Sequence, residues 1–429
     1  MKASIPGILL ILLLLHIIPQ NSLCQDSTQV IPDGTEGEVL PSKDSINSIS
    51  KKKARNQFDF GFTTFRFGAG FLYEFAGFSQ DAESKKQADS GDYKLEPTFK
   101  VRDFRLLVSG QFKTKRTITW KGGFMYDGTT NTWFVRESGF TVAVPELFGH
   151  IFIGRTKEGY SLNKVMNGYA GWTMERHISI DVIPILADGI KWMGYLPKQK
   201  LLWNVGAYAD WLSKDQSFST FQSQYVARVA WLPIQSKTTN TTLHLGINYR
   251  YGKPEDGQMR LRSRPEANPA PYFIDTKTFP SDHSNHVGWE AYYSKGPWMI
   301  GTEYNFHMFH SPSTQNPTFR GGDAVISYII TGESRPYTTI GGIYSFVPIK
   351  KSVFKGGPGA IEVLLRYSEL DLDAGTIQGG KFWRITPMVN WYLNRMLRLE
   401  FAYGYGVLDR YQLKGATQFF QSRLQFVIL

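Results

Sequence analysis

From Phe58 onward the chain alternates apolar and polar positions with a period of two. Phe65, Phe67, Ala69, Phe71, Tyr73 and Phe75 are apolar, with Arg66, Gly68, Gly70 and Glu74 among the residues between them. Successive side chains of an extended chain point to opposite faces, so this pattern predicts a strand of about eleven residues, longer than is usual in soluble proteins. The signal recurs. Trp203, Val205, Ala207 and Ala209 alternate with Asn204, Gly206, Tyr208 and Asp210; Leu243, Leu245, Ile247 and Tyr249 alternate with His244, Gly246, Asn248 and Arg250. Near the C-terminus Phe420, Leu424, Phe426 and Ile428 alternate with Gln421, Arg423 and Gln425.

The apolar faces are rich in Phe, Trp and Tyr, while the opposite faces carry charges and glycines rather than a second core. A barrel in lipid needs that arrangement, apolar outside and polar around a watery lumen. Trp231, Trp289, Trp298, Trp383, Trp391 and Tyr392 fall near strand ends, as interfacial girdles do. Beyond the N-terminal segment no apolar run reaches helix-spanning length; Ile178 to Ile190 comes nearest and is broken by Asp181, Pro184 and Asp188. A closed barrel is the remaining way to satisfy backbone groups in lipid. The expected fold class is therefore all-β, a transmembrane antiparallel β-barrel of about sixteen strands over residues 58–429. Short turns are expected at Pro145-Glu146, Pro197-Lys198, Pro233-Ile234, Lys295-Gly296-Pro297 and Asn394-Arg395. Long connections are expected near Ser79–Glu96, Thr156–Asp188, Lys253–Asn285 and Thr331–Gly359, all on one rim.

The N-terminus sets the compartment. Lys2, the apolar run Ile8–Ile18 interrupted by His16, and the polar stretch Gln20–Cys24 have the layout of a secretory signal peptide over residues 1–24. Leu23 stands where a lipid-anchoring signal wants a small residue, so ordinary cleavage is expected, and the single cysteine leaves with the signal. The mature chain then relies on hydrogen bonds and buried area, without disulfides. Residues 25–57 form a polar periplasmic leader ending in Lys51-Lys52-Lys53-Ala54-Arg55, which reads as a solvated tail. Loss of one Lys takes the net charge from +11 to +10, a balance that favours anionic partners.

Candidate chemistry begins with "GQMRLRSRPEANP", in which Arg260, Arg262 and Arg264 alternate and would stand in a row on an extended chain. Guanidiniums grip oxyanions through a planar fork of donors. A solvated loop paired with Glu255, Asp256 and Glu266 is the plain alternative. His283/His286 and His307/His310 each have a spacing of three, which puts the members of each pair on opposite faces of a strand and argues against a metal site. No G-x-S-x-G elbow or H-E-x-x-H motif occurs, and the dispersed basic residues argue against nucleic-acid binding.

The segments "GRTKEGYSLNKVMNGYAGWTMERHIS", "MRLRSRPEANP", "YIITGESRPY" and "GAIEVLLRYSELDLDAGTIQGGKFWRITPMVNWYLN" together resemble the phosphate-selective porin O and P family of Gram-negative outer membranes. The resemblance implies a sixteen-stranded barrel, usually a homotrimer, whose third loop folds inward as a constriction. In members that act as phosphate channels a ladder of arginines leads to a constriction lysine. By motif, Lys164 in "LNKVMNG" takes the lysine's place, Arg176 in "MERH" matches an arginine of the same site, and Arg260, Arg262 and Arg264 resemble part of the ladder. One departure stands out: adjacent serines follow the lysine in the phosphate channels, whereas this chain has Asn167 and Gly168. The expected function is passive diffusion of small inorganic anions, phosphate or polyphosphate foremost, without enzyme activity or cofactor, in an outer membrane whose lipid is the other partner. The rivals are a weakly selective porin of the same family and a structural or enzymatic barrel.

Overall fold

The computed structural model describes residues 56–212 and 221–428. The expected signal peptide, the leader through Arg55 and Leu429 lie outside the described residues. A short strand, Gln57–Asp59, pairs with Thr64–Arg66 ahead of the barrel.

Sixteen antiparallel strands close the wall. In chain order they are β1 (Thr64–Gln80), β2 (Thr98–Phe112), β3 (Ile118–Asp127), β4 (Thr132–Val135 continued by Ser138–Val144) and β5 (Gly149–Thr156). Next come β6 (Ala187–Leu196), β7 (Leu201–Ala209), β8 (Phe221–Ser236), β9 (Thr241–Pro254), β10 (His283–Lys295) and β11 (Trp298–His310). The last are β12 (Thr318–Ile329), β13 (Ala360–Ala374), β14 (Ile377–Tyr392), β15 (Leu397–Arg410) and β16 (Leu413–Ile428). Each pairs with its sequence neighbours, and β1 pairs with β16 from Ala69↔Ile428 to Gln80↔Thr417, which leaves no free edge.

The wall is inside out relative to a soluble protein. Trp231, Ile247 and Trp298 are 50%, 67% and 50% exposed on the outer face, whereas Arg228, Arg250, Arg384 and Arg398 on the inner face are at most 2% exposed. Apolar residues therefore meet lipid and the charges are enclosed.

The chain ends of the barrel share one rim with the turns 113–117, 145–148, 197–200, 237–240, 296–297 and 393–396. Two expectations change here. Pro233 and Ile234 lie within β8, at a register shift against β9, because a proline without an N–H is tolerated at a bulge; the turn comes at 237–240. The long connection 330–359 sits on this short-turn rim, not with the other long loops, since β12 runs toward it and β13 away. The opposite rim carries loops 81–97, 157–186 and 255–282, the first holding the helix Ala82–Ser90, capped by Asp81 accepting from Ser84 N at 2.7 Å. Loops 157–186 and 255–282 fold into the barrel: Tyr160, Ile178 and Val182 pack with Met259, Phe273 and Phe279 against inward-facing Phe309, Phe319 and Phe382. Segment 330–359 enters from the other rim, where Ile343 and Tyr344 meet Trp172 and Tyr292.

Candidate functional site

The constriction loop, 157–186, is held by the wall through its own backbone. A short helical turn, Leu162–Val165, presents N–H groups that no intrahelical carbonyl can satisfy. Wall side chains accept them: Ser161 N donates to Asn248 Oδ1 (3.0 Å), Leu162 N to Glu290 Oε2 (2.6 Å) and Asn163 N to Glu303 Oε1 (2.8 Å). Ser161 Oγ takes Lys164 N at 3.1 Å. The negative carboxylates also suit the positive end of the turn.

Lys164 is fully buried behind this turn. Its Nζ donates to Glu158 Oε2 at 3.1 Å, and Arg250 Nε of β9 grips the same oxygen at 2.8 Å. Burial pushes the Lys164 ammonium down to about 8 against the pull of Glu158. Burial raises Glu158, but Arg250 and Lys164 outweigh it and hold the carboxyl below its usual range.

Arg176 and Asn167 come together at a narrow cleft of about 40 Å³, lined also by Arg102, Asp103, Arg105, Gly168, Glu175 and Arg423. Arg176 braces the loop by donating to Asn163 O (2.9 Å) and Met166 O (3.1 Å), and burial lowers its guanidinium to about 10. Asn167 Oδ1 accepts from Tyr169 N at 3.0 Å, while its amide Nδ2 is buried without a hydrogen-bond partner among the described residues. A Cβ on Gly168 would lie 3.9 Å from Arg176 Nη2 and 4.0 Å from Arg105 Nη1, so the two guanidiniums converge on one point.

Arg260, Arg262 and Arg264 lie in loop 255–282, outside that cleft. Arg260 makes a bidentate pair with Asp275 at 3.0 and 2.6 Å. Arg262 and Arg264 both lie over the Tyr272 ring, at 4.2 and 4.1 Å, and Arg264 Nε donates to Ala270 O. The row is thus broken: one arginine is neutralised and two share an aromatic face.

Further cations surround the cleft that the motif comparison missed. Arg105 lies over the Tyr169 ring at 4.5 Å and donates to Asp103 at 2.6 Å. Arg136, between the two pieces of β4, is 8% exposed and makes no hydrogen bond or ion pair through its side chain among the described residues; Arg105 and Arg176 are among its charged neighbours. Lys157 donates to Met166 O at 2.7 Å and stands 3.6 Å from Glu137. Lys121 and Lys191 lie over Phe152 at 5.0 and 5.1 Å. Around this wall Arg102, Arg105, Arg136, Arg176, Lys121, Lys157 and Lys191 face Asp103, Glu137 and Glu175. The alternation on β2 puts Arg105 on the lumen face with Leu107 and Ser109, a signal the sequence did contain.

The two inward elements are tied by shared ion pairs. Glu290, which caps Leu162, also accepts from Arg228 Nε at 2.7 Å, and Arg228 donates to Gly341 O (2.6 Å) and Gly342 O (2.8 Å) of segment 330–359. Arg335 donates to Ala170 O at 2.8 Å and to Glu362 at 2.9 Å. The histidines regroup across strands: His286 Nδ1 faces His307 Nδ1 at 2.7 Å, and His283 stacks on His310 at 5.0 Å.

The chain matches the family described as phosphate-selective porin O and P over residues 74–428. It is 32% identical over 185 residues to an uncharacterized protein of Caulobacter vibrioides, covering 42% of this chain and 36% of that protein. It is 24% identical over 247 residues to Porin O of Pseudomonas aeruginosa, covering 50% of this chain and 55% of that protein. In fold it resembles an anion-selective porin from Comamonas acidovorans, with a TM-score of 0.53 at 10% identity, over 85% of this chain and all of that one. The match over most of the barrel, on a closed sixteen-strand wall, shows that this chain belongs to the phosphate-selective porin O and P family.

Proposed function

We infer that the channel passes small oxyanions and chloride in preference to cations, with inorganic phosphate the foremost substrate class. The observation that carries this reading is the convergence of Arg105 and Arg176 beside Gly168 and the orphaned Asn167 amide, with Arg136, unpaired among the described residues, as a charged neighbour of both. Arg136 is free to take an anion, Arg105 and Arg176 add attraction beyond the groups they already hold, and several weak contacts in series let the anion enter and leave. Arg262 and Arg264 at the outer loop are an earlier step of the same path. Lys164, in this reading, positions the loop through Glu158 and does not touch the anion. No covalent chemistry is involved, and assembly as a homotrimer after removal of residues 1–24 fits the family. The likeness to Porin O and to an anion-selective porin supports the reading.

Reversal potentials of single channels across a potassium chloride gradient test it, and cation preference would overturn it. A second reading, a weakly selective pore, is favoured by the absence of hydroxyls at Asn167 and Gly168 and by Asp103 and Glu175 in the cleft lining. Block of chloride current by millimolar phosphate separates the two.

A further inference from the structure

Segment 330–359 does more than enter the lumen. Its outer part returns to the lipid-facing side of the short-turn rim, where Trp391 Nε1 donates to Pro358 O at 2.9 Å and Val353 N to Leu393 O at 3.0 Å. Phe354, on a one-turn helix between them, is 67% exposed. Around it Lys351, Lys355 and Arg395 are exposed and their side chains have no ion-pair or hydrogen-bond partner among the described residues. Stretches 345–361 and 391–399 contain no Asp or Glu. The patch is basic, aromatic and level with a girdle tryptophan, as residues anchored at lipid headgroups are.

The wall directly above continues it. Outward-facing Pro387 and Ser422 are small, and Val363, Val389, Phe401 and Phe420 rise around them, forming an apolar groove on β13 to β16. Pro387 cannot donate to β15, and the β14–β15 ladder skips Thr386 and Pro387. Trp391 is four residues along β14 from Pro387, about 13 Å at strand rise, within the length of an acyl chain.

We propose that this rim patch and groove form a seat for one anionic phospholipid of the inner leaflet, its phosphate among Lys351, Lys355 and Arg395 and an acyl chain along Pro387 and Ser422. Charge complementarity and the continuity of patch and groove argue for an amphiphile, because a soluble acidic partner would use the patch alone. The seat depends on the barrel's place in the membrane and not on the anion preference of the pore.

The test is native mass spectrometry of the full-length protein titrated with short-chain phosphatidylglycerol, phosphatidylcholine or free glycerol phosphate. The expected result is retention of phosphatidylglycerol over the other two. K351Q/K355Q/R395Q should weaken that retention about a hundredfold, since each basic residue near an anionic surface contributes about a factor of five. S422F, which fills the groove without touching the charges, should also lose the lipid and serves where the triple variant fails to assemble. Equal retention of phosphatidylcholine, equal binding of glycerol phosphate, displacement by acidic peptidoglycan fragments, or native retention by either variant would each overturn the seat. Reversal potentials on the same samples report the pore separately, so loss of anion preference with lipid retention intact would refute only the channel reading.

Discussion

Substituting Gly168 by serine restores one hydroxyl where phosphate-channel relatives are expected to have it, at a position the structure leaves open. The added Cβ meets nothing closer than Arg176 Nη2 at 3.9 Å and Arg105 Nη1 at 4.0 Å, ordinary contact distances, and Gly168 is not among the positive-φ glycines. The serine therefore fits without backbone strain. An anion about 4 Å from each guanidinium gains about 1 kcal/mol per charge in bulk water and about 4 kcal/mol at an effective dielectric near 20, so the arginines dominate. The hydroxyl adds one neutral hydrogen bond, with a net worth of about 0.5–1.5 kcal/mol. Half-block of chloride current by inorganic phosphate should thus shift to a concentration about two- to tenfold lower. The assay is single-channel recording in planar bilayers with phosphate titrated on one side, and Gly168→Ala is the control that adds the Cβ alone. If Gly168→Ser and Gly168→Ala block alike at native unit conductance, the point beside Gly168 is not on the anion's path and the assignment fails.

Arg136→Gln removes a cation whose side chain makes no hydrogen bond or ion pair among the described residues, so anion preference should fall about two- to sevenfold, as for a screened charge worth about 0.5–1 kcal/mol in a wet lumen, with heat stability unchanged. Lys164→Met should do the reverse: reversal potentials stay near native, while the loop loosens and open-channel noise rises, because Glu158 Oε2 loses a hydrogen-bond donor that the lysine amine supplies whether charged or neutral. An equal loss of selectivity in both variants would contradict the separation of roles. Raising the pH from 7 toward 10 should quieten the native channel. The Lys164 pKa of about 8 lies below the lysine value of an open loop, so the docked loop disfavours the ammonium, and that penalty is relieved as pH rises through about 8. Lys164→Met should lack this pH effect. Glu290→Gln weakens the joint that caps Leu162 and holds Arg228, and hydrogen exchange should quicken at Leu162–Val165 and at 337–344 together; quickening at one alone would show the two inward elements to be independent.

The wall was legible in the sequence because a barrel in lipid is a local problem repeated sixteen times. Period-two alternation such as Leu243–Arg250 states which face meets lipid, and no long-range information is needed to read it. Motif order pointed to the inward loop, and in the structure Arg176 and Asn167 from that loop line one cleft. What a lumen-facing charge does is a different matter, because it depends on which opposite charge the folded loops bring to it. Lys164 finds Glu158 and Arg250, 86 residues away in the chain, and is neutralised in a dry site, whereas the Arg136 side chain finds no hydrogen-bond or ion-pair partner among the described residues. Arg260, Arg262 and Arg264 keep their even spacing, yet Asp275 and Tyr272 on the returning stretch of their loop divide them. Loop length identified 330–359 but not its rim, which follows from counting strand directions around a closed barrel. Alternation and motifs therefore determined the barrel by themselves; the pairing of its interior charges was decided only by the tertiary structure, because ion pairs form between residues that chain spacing does not relate.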